Sequence, residues 1–516
     1  MPLIDTANIP VVHALSSHDS LQVYCGLDSC ISLEALNAEQ PFLSKRPHAK
    51  NVYDFECALQ APYLEIMLRG FLIDQLARHR AQHALQEKIT FLKDHLMQLG
   101  DALRPNLLDD KASKSLPQLK ELFFHQLQLP EIWSSKKGIR KLSLDRTALE
   151  TIYESADKSY LSKKQRNLHL YARPFISHIL AIRDLSKQLE VFESALDNDG
   201  RFRSSYNIAG TETGRPSSSQ NAFGTGGNAQ NIAPNLRHVF IADPNHKLFQ
   251  IDLEQTEARD LGFFCGCLFN DWTYLDACES GDVHTANSRL IWPELKWTGD
   301  LARDRNIASQ LFYREFSYRD MAKRGSYLSN YMGTAWTAAR HLKVPQSIME
   351  DFQSRYCRGP NCAYPSIQQY WGWVAYQLQT QSRLVTPFGR ERHFFGRTND
   401  DTTLREAIAF LPQGTTADRM NLGLWKCWKY MPQIQLLGQG YDSIVAQVQE
   451  DLIDQTVEEA LSLIRIPLKD TTSGRIFVVP GEAKVGWNWG AYHPTNNPDG
   501  LKTWSPSGDP RKRKGT

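Results

Sequence analysis

The chain has 516 residues, 41% of them hydrophobic and 22% charged, the balance of a folded protein with several packed subdomains, which excludes a largely disordered chain. Its 59 basic and 57 acidic side chains leave a net charge of +2, so the total neither supports nor excludes a polyanionic partner, and the distribution of charge matters more than the sum.

The first 30 residues, with Asp5, His13, His18 and Asp19, hold no apolar run long enough for a signal peptide or membrane span, and the expectation is a cytoplasmic protein with no membrane partner. Nine scattered cysteines without a Cys-x-x-Cys pair argue against structural zinc and a disulfide framework, as a reducing compartment requires.

From Phe55 to Leu99 apolar residues recur at helical spacing, as in Leu59, Tyr63, Ile66 and Ile73, then Leu85, Ile89, Leu92 and Leu96. A polar stretch, Arg104 to Ser115, interrupts the pattern. Short helices follow, with a basic, glycine-containing loop from Lys136 to Lys141 as a candidate mobile tip. The helical stretch Pro174 to Leu196 ends in Asp197-Asn198-Asp199-Gly200, a turn signal that sets a domain boundary near residue 200. Beyond it, Lys247 to Leu253, Ile434 to Gln439 and Ser443 to Val448 read as strands, and most of Tyr274 to Gln381 reads as helix.

Asp252 ends the first of these strands, and Asp442 lies at the turn between the other two, where a hairpin is expected. Singly, each reads as an ordinary turn or cap aspartate. Together they match what phosphoryl transfer needs: two fixed carboxylates for Mg²⁺, with substrate phosphates and water completing the octahedron. Arg319, Lys323, Tyr327 and Tyr331 recur every four residues and so share one side of a helix, since each step rotates by only about 40°. Two cations leading two aromatics suit a nucleoside triphosphate, the cations for phosphates and the rings for sugar and base; the rival reading is a core helix with snorkelling cations. No acid follows Lys323 on that face.

Five segments in order resemble family A DNA polymerases over residues from about 60 to 490. Thr213-Gly-Arg215-Pro-Ser-Ser-Ser219 with Asn228-Ala-Gln230-Asn231-Ile232 resembles the primer-template contact segment. Asp252-Leu-Glu-Gln-Thr-Glu257-Ala-Arg259 resembles motif A, which implies Asp252 as metal ligand and Glu257 as the steric gate against a ribose 2′-OH. Asp282-Val-His284 resembles a fingers segment whose histidine meets the incoming phosphates, and Arg319 through Tyr331 resembles motif B, with Tyr327 at the sugar-facing position. Arg405 and Gln413-Gly414-Thr415 resemble the palm segment that lies on template and primer, and Tyr441-Asp442-Ser443 stands at motif C, with Asp442 as second ligand.

The sequence also departs from the family's pattern. Motif C commonly reads His-Asp-Glu, so Ser443 removes a carboxylate, and Met332 stands where a glycine often follows the motif B tyrosine. Near the N-terminus, Tyr24-Cys-Gly-Leu-Asp28 resembles the last motif of a 3′–5′ exonuclease, whose earlier carboxylate motifs are missing, so no proofreading by this chain alone is expected.

The resemblance implies an α+β right-hand fold: an exonuclease remnant at 1–50, a thumb at 51–200, a palm at 201–270 and 386–490, fingers at 271–385 and a basic tail at 491–516. It further implies DNA synthesis with two Mg²⁺ ions, or Mn²⁺ in their place. The partners it implies are primer-template DNA and dNTPs, with a separately encoded exonuclease, clamp or helicase as further candidates. Two rival readings remain: a single-subunit RNA polymerase, against which Glu257 argues, and a catalytically silent primer-template binding subunit.

Overall fold

In the computed structural model the residues described are 17–136, 139–155, 161–398 and 400–506, so Asp5, His13, Lys137 and the basic run Arg511 to Lys514 lie outside them. The central element is the strand His246–Leu253, whose alternation sends Phe249, Ile251 and Leu253 to one face, while Leu248 packs in a separate cluster on the other. It lies in the middle of a five-stranded antiparallel sheet, ordered Gln435–Gly440, Ser443–Gln449, His246–Leu253, Gly481–Gly486 and Lys502–Thr503. The three strands expected from the sequence agree with those observed to within a residue at either end.

The helices Thr256–Phe269 and Asp401–Tyr430 pack together beneath the Ile251 face. A fully buried ion pair joins them: Arg419 donates to Asp260 at 2.7 and 2.9 Å, and Thr416 adds a hydrogen bond of 3.0 Å. The 30-residue helix carries Arg405 and Gln413 on a single element, eight residues and therefore about 12 Å apart along its axis.

Two helical units flank the sheet. One is built on the long helices Gln75–Leu103 and Lys163–Glu193, whose apolar stripes meet through Ile89, Leu96, Phe175, Ile176 and Ile179. Between them, Trp133–Lys136 pairs with Ile139–Leu142 where a loop at Lys136 to Lys141 is expected, while residues 137–138 of that loop lie outside the described residues. The other unit runs from Thr273 to Gln381 and closes around Tyr274, Tyr356 and Tyr364, whose rings pack edge to face and whose hydroxyls bond Asn330 and Asn287. It also holds a short hairpin, Leu311–Tyr313 with Phe316–Ser317, in a region read as helical.

Two expected boundaries need correction. The helix Pro47–Arg69, assigned to the thumb from sequence, puts Leu59, Tyr63 and Ile66 into the core beneath the sheet, and Tyr63 donates to Asn421 at 2.8 Å. The chain then joins the first unit through Phe71–Ile73, which pairs with both Arg201–Phe202 and Phe240–Ile241. At the other end, the segment from 491 is no loose tail as far as it is described: Lys502–Thr503 extends the sheet, and side chains of Asn488 and Asn497 bond each other across the intervening loop. The helix Ser17–Ser44 lies outside all these cores, with Tyr24 and Asp28 exposed on it. Among the described residues no helix is long and apolar enough to cross a membrane.

Candidate active site

Asp252 and Asp442 are brought side by side by strand register. Ser443 pairs directly with Asp252, and the amide of Leu253 donates to the carbonyl of Asp442 at 2.9 Å. The two-residue turn between the hairpin strands places Tyr441 in the left-handed region, φ +51°, a conformation bulky residues seldom adopt, and aims Asp442 toward the neighbouring strand. Asp252 is oriented from behind by a relay: the Trp489 indole donates to Gln250 at 2.8 Å, and the Gln250 amide donates to Asp252 at 2.8 Å. On the far side Glu482 stands opposite Asp252 in register, and the Lys484 ammonium lies 3.7 Å from Asp252 and 3.4 Å from Glu482.

Enclosure by the cleft walls, then the charge of Asp252, then Glu257, push the pKa of Asp442 upward against the opposing pull of its backbone hydrogen bond and Arg215. A divalent cation would relieve that repulsion, and two carboxylates at an open position fit Mg²⁺, which keeps water and phosphate oxygens for the rest of its shell. Among the described residues no group of three or more His, Cys, Asp and Glu side chains forms a closed metal cage.

Glu257, in the first turn of the helix after Asp252, is held between two groups: Arg215 donates to one carboxylate oxygen and the Tyr331 hydroxyl to the other. Arg215, expected on the primer-template, is tied to Glu257, with its guanidinium 5.6 Å from the centre of the Tyr441 ring. Tyr331 stands just beyond the end of the helix Tyr318–Asn330, not on its face, and burial and the Glu257 charge together raise its pKa well above the ordinary value. Tyr327, one turn earlier, remains 58% exposed and meets the Tyr331 ring edge to face.

The cations of this helix differ in their company. Lys323 is exposed and makes no ion pair among the described residues. Arg319 has a partner that its own helix does not supply: Asp282 receives both its Nε and Nη2 at 3.0 Å. Asp282 also caps the helix Val283–Ile291, accepting from the amides of His284 and Thr285. Burial opposes its ionisation, but the hydrogen bonds from Arg319 and Thr285 win, and its pKa falls. His284 beside it is held neutral: burial first, then Arg319, push its pKa down to about 4, and its Nδ1 is buried without a hydrogen-bond partner.

Gln230 lines the small cavity that contains Asp252 and Asp442, and its amide donates to the carbonyls of Pro216 and Gln439 at 3.2 Å. Asn231 is exposed next to it, while Gln413 is half-buried on its helix. Arg405 is held on the same helix by Asp401 at 3.3 Å. Tyr24 and Asp28 are not brought to this cleft. The residues that sequence reasoning missed are Gln250, Asp282, Glu482 and Lys484. Asp282 carried a local signal, the Gly-Asp start of a helix, whereas Glu482 and Lys484 reach Asp252 through pairing between distant strands, and Gln250, two residues before Asp252 on the same strand, is held by the distant Trp489.

A small antiparallel sheet that presents two carboxylates, with one helical unit on each side, defines the right-hand fold of nucleic-acid polymerases. The family model described as DNA polymerase family A matches residues 82–491, and the chain belongs to that family. It is 27% identical over 494 residues to DNA polymerase I of Pseudomonas aeruginosa, an alignment covering 91% of this chain and 47% of that protein. It is 26% identical over 393 residues to the thermostable DNA polymerase I of Thermus aquaticus, covering 72% of this chain and 40% of that one. The chain spans less than half the length of these curated relatives. Among solved structures, the POL domain of Pol1 from M. smegmatis, in complex with DNA primer-template and dNTP, superposes with a TM-score of 0.69 at 18% identity, covering 89% of this chain and 74% of that chain.

Proposed function

We propose that this chain is a DNA-directed DNA polymerase that adds dNTPs to a primer 3′-OH. The observation that carries the reading is the register that sets Asp252 and Asp442 side by side on the open face of the sheet, facing a helix with Arg319 and Lys323. Two Mg²⁺ ions held by Asp252 and Asp442, or Mn²⁺ in their place, would acidify the attacking hydroxyl and offset charge on the triphosphate.

The chain's own groups do the rest. Lys323, with no ion pair among the described residues, binds triphosphate oxygens as a mobile point charge. Arg319, fixed by Asp282, presents its remaining N–H groups in one orientation, so it positions phosphate more than it seeks it. His284, kept neutral, meets the phosphates as a hydrogen-bonding group and adds no charge. Glu257 fills the space beside the sugar, where a 2′-OH would displace it from Arg215 and Tyr331, and this selects dNTP over rNTP. Tyr327 is the exposed ring for the sugar, and Gln230, Asn231, Arg405 and Gln413 remain the candidates for the primer-template.

The thumb we assign to residues from about 71 to 200, the fingers to 271–385 and the palm to the rest of the described core. Tyr24 and Asp28, exposed on the helix Ser17–Ser44 away from this cleft, are given no part in synthesis in this reading.

Extension of a labelled primer-template by the full chain tests this, with dNTPs against rNTPs and with a mismatched 3′ end included. Wild type should extend with dNTPs and leave the mismatch in place. Asp252→Ala and Asp442→Ala should each lose on the order of a thousandfold or more, in line with removing a group that holds the reacting charge. Absence of extension by wild type, in the presence of tight DNA binding, would replace the enzyme reading with that of a binding subunit.

A further inference from the structure

The family match ends at residue 491, yet the chain folds on for at least a further dozen residues. Ala491 pairs with Leu501, His493 with Asn497, and Lys502–Thr503 with Lys484 and Val485. The loop is held internally: the His493 ring accepts from the amides of Thr495 and Asn496, and Asn497 reaches back to the carbonyl of Ala491 at 3.0 Å. This is a built element with a fixed relation to the sheet.

Between it and the sheet lies an open cavity of about 470 Å³. Its cations are Arg237, Lys484 and Lys502, its aromatics Trp489 and Tyr492, and no carboxylate lines it among the described residues. Arg237 lies over the Trp489 ring at 4.5 Å and Lys502 over Tyr492 at 5.1 Å, so two of the three charges are steadied by rings and not neutralised by acids. Arg237, Gln250 and Trp489 also line the cavity of Asp252 and Asp442, so the two spaces adjoin across these three side chains. Two strand spacings, about 10 Å, separate the Lys502 strand from the Asp252 strand.

We propose that residues 492–503 complete a phosphodiester subsite, in which Lys502 and Tyr492 contact the backbone of the DNA strand whose 3′ end lies at Asp252 and Asp442. Lys502 lies opposite Val485, three residues along from Glu482 opposite Asp252, so the full separation is about 14 Å, and at a rise of about 3.4 Å per nucleotide this reaches the phosphates about four nucleotides behind that end. The subsite rests on the polymerase reading, deepens it, and gives a segment outside the family match a part in holding the primer.

The test is equilibrium binding of the full chain to a fluorescent recessed primer-template across a salt series, for wild type, Lys502→Gln, Lys502→Arg and Tyr492→Ala. Lys502→Gln should bind about five- to tenfold more weakly at low salt, with the slope of log Kd against log salt reduced by about one; Lys502→Arg should match wild type. Tyr492→Ala should weaken binding two- to fivefold. Wild-type Kd and slope in Lys502→Gln, from a chain that extends primers, would overturn the subsite and leave the polymerase reading intact. So would loss of free dNTP binding without loss of DNA binding, since the cavity would then serve free nucleotides. A wild-type chain that neither binds nor extends primer-template would overturn both.

Discussion

Glu257 joins two walls of the cleft, because one carboxylate holds two groups that approach from different elements. Arg215 comes from a loop before the sheet, and Tyr331 from the end of the helix opposite. Truncation to Ala opens the space beside the sugar and frees both partners at once. Glu257→Ala should therefore reduce the preference for dNTP over rNTP, by on the order of 10- to 100-fold, in competition assays with matched templates. It should also lower the rate with dNTPs, since Arg215 loses the contact that fixes it. An unchanged preference would remove Glu257 as the gate.

His284 gives a prediction in pH. Its ordinary pKa of 6.5 falls to about 4 in the folded protein, through burial and then Arg319. The unfolded chain therefore takes up a proton at His284 as pH drops through 6.5, while the folded one resists until about 4. The folded state should lose stability across that window, and the loss should level off below it. His284→Asn should flatten the dependence of the melting temperature on pH between 7 and 4.5, and the His284 imidazole resonances should titrate near 4. A titration near 6.5 would show the ring to be more open than its surroundings imply.

Among the elements, the helices Thr256–Phe269 and Asp401–Tyr430 depend on a pair that has no exposed surface. Burial raises the pKa of Asp260, and Arg419 opposes that rise; the charged pair is retained because Arg419 donates to both carboxylate oxygens and Thr256 and Thr416 add hydrogen bonds to one of them. Breaking one side leaves a buried charge uncompensated, and Arg419→Leu should cost about 3–5 kcal/mol in urea unfolding. Adding Asp260→Leu to that variant should restore much of the loss, because the pair as a unit contributes far less than either half stranded. Equal destabilisation by the single and the double variant would show that shape, not charge, is what the site requires.

The elements also show what could be read before the fold was seen. The strand His246–Leu253 and the hairpin around Asp442 were legible, because a run of apolar residues bounded by turn residues is a local signal. The cation helix was legible for the same reason, except at its end: Tyr331 continues the four-residue spacing but falls after the last helical residue. Helix spacing sees only its own helix and so could not supply the partner of Arg319, because Asp282 arrives from another one. The segment from 491 to 503 gave no periodic signal, since its structure comes from asparagine side chains and single bridges. Register alone brings Glu482 and Lys484 to Asp252, and register between strands 230 residues apart is not written in any window of sequence.

For the whole molecule, the sheet supports both helical units, and the two units also touch each other. Arg340, on the helix Ala335–Leu342 of one, donates to Glu154 at 2.7 Å and to Thr151 at 3.2 Å, both on the helix Arg146–Ser155 of the other. With the sheet joining them at their bases, this contact closes the three parts into a ring. Under the proposed function, a duplex that enters from the side would have to part it. The pair is partly exposed, so it is worth at most about 1 kcal/mol, enough to shift an opening equilibrium roughly fivefold without holding it shut. Glu154→Gln removes the acid and leaves Arg340 available to phosphate. Stopped-flow association with primer-template should then speed up by about two- to fivefold at low ionic strength. The gain should shrink as salt screens the wild-type pair. A rate equal to wild type at every salt concentration would mean that DNA enters without passing between Arg340 and Glu154, and that the ring is open often enough for the contact to carry no kinetic weight.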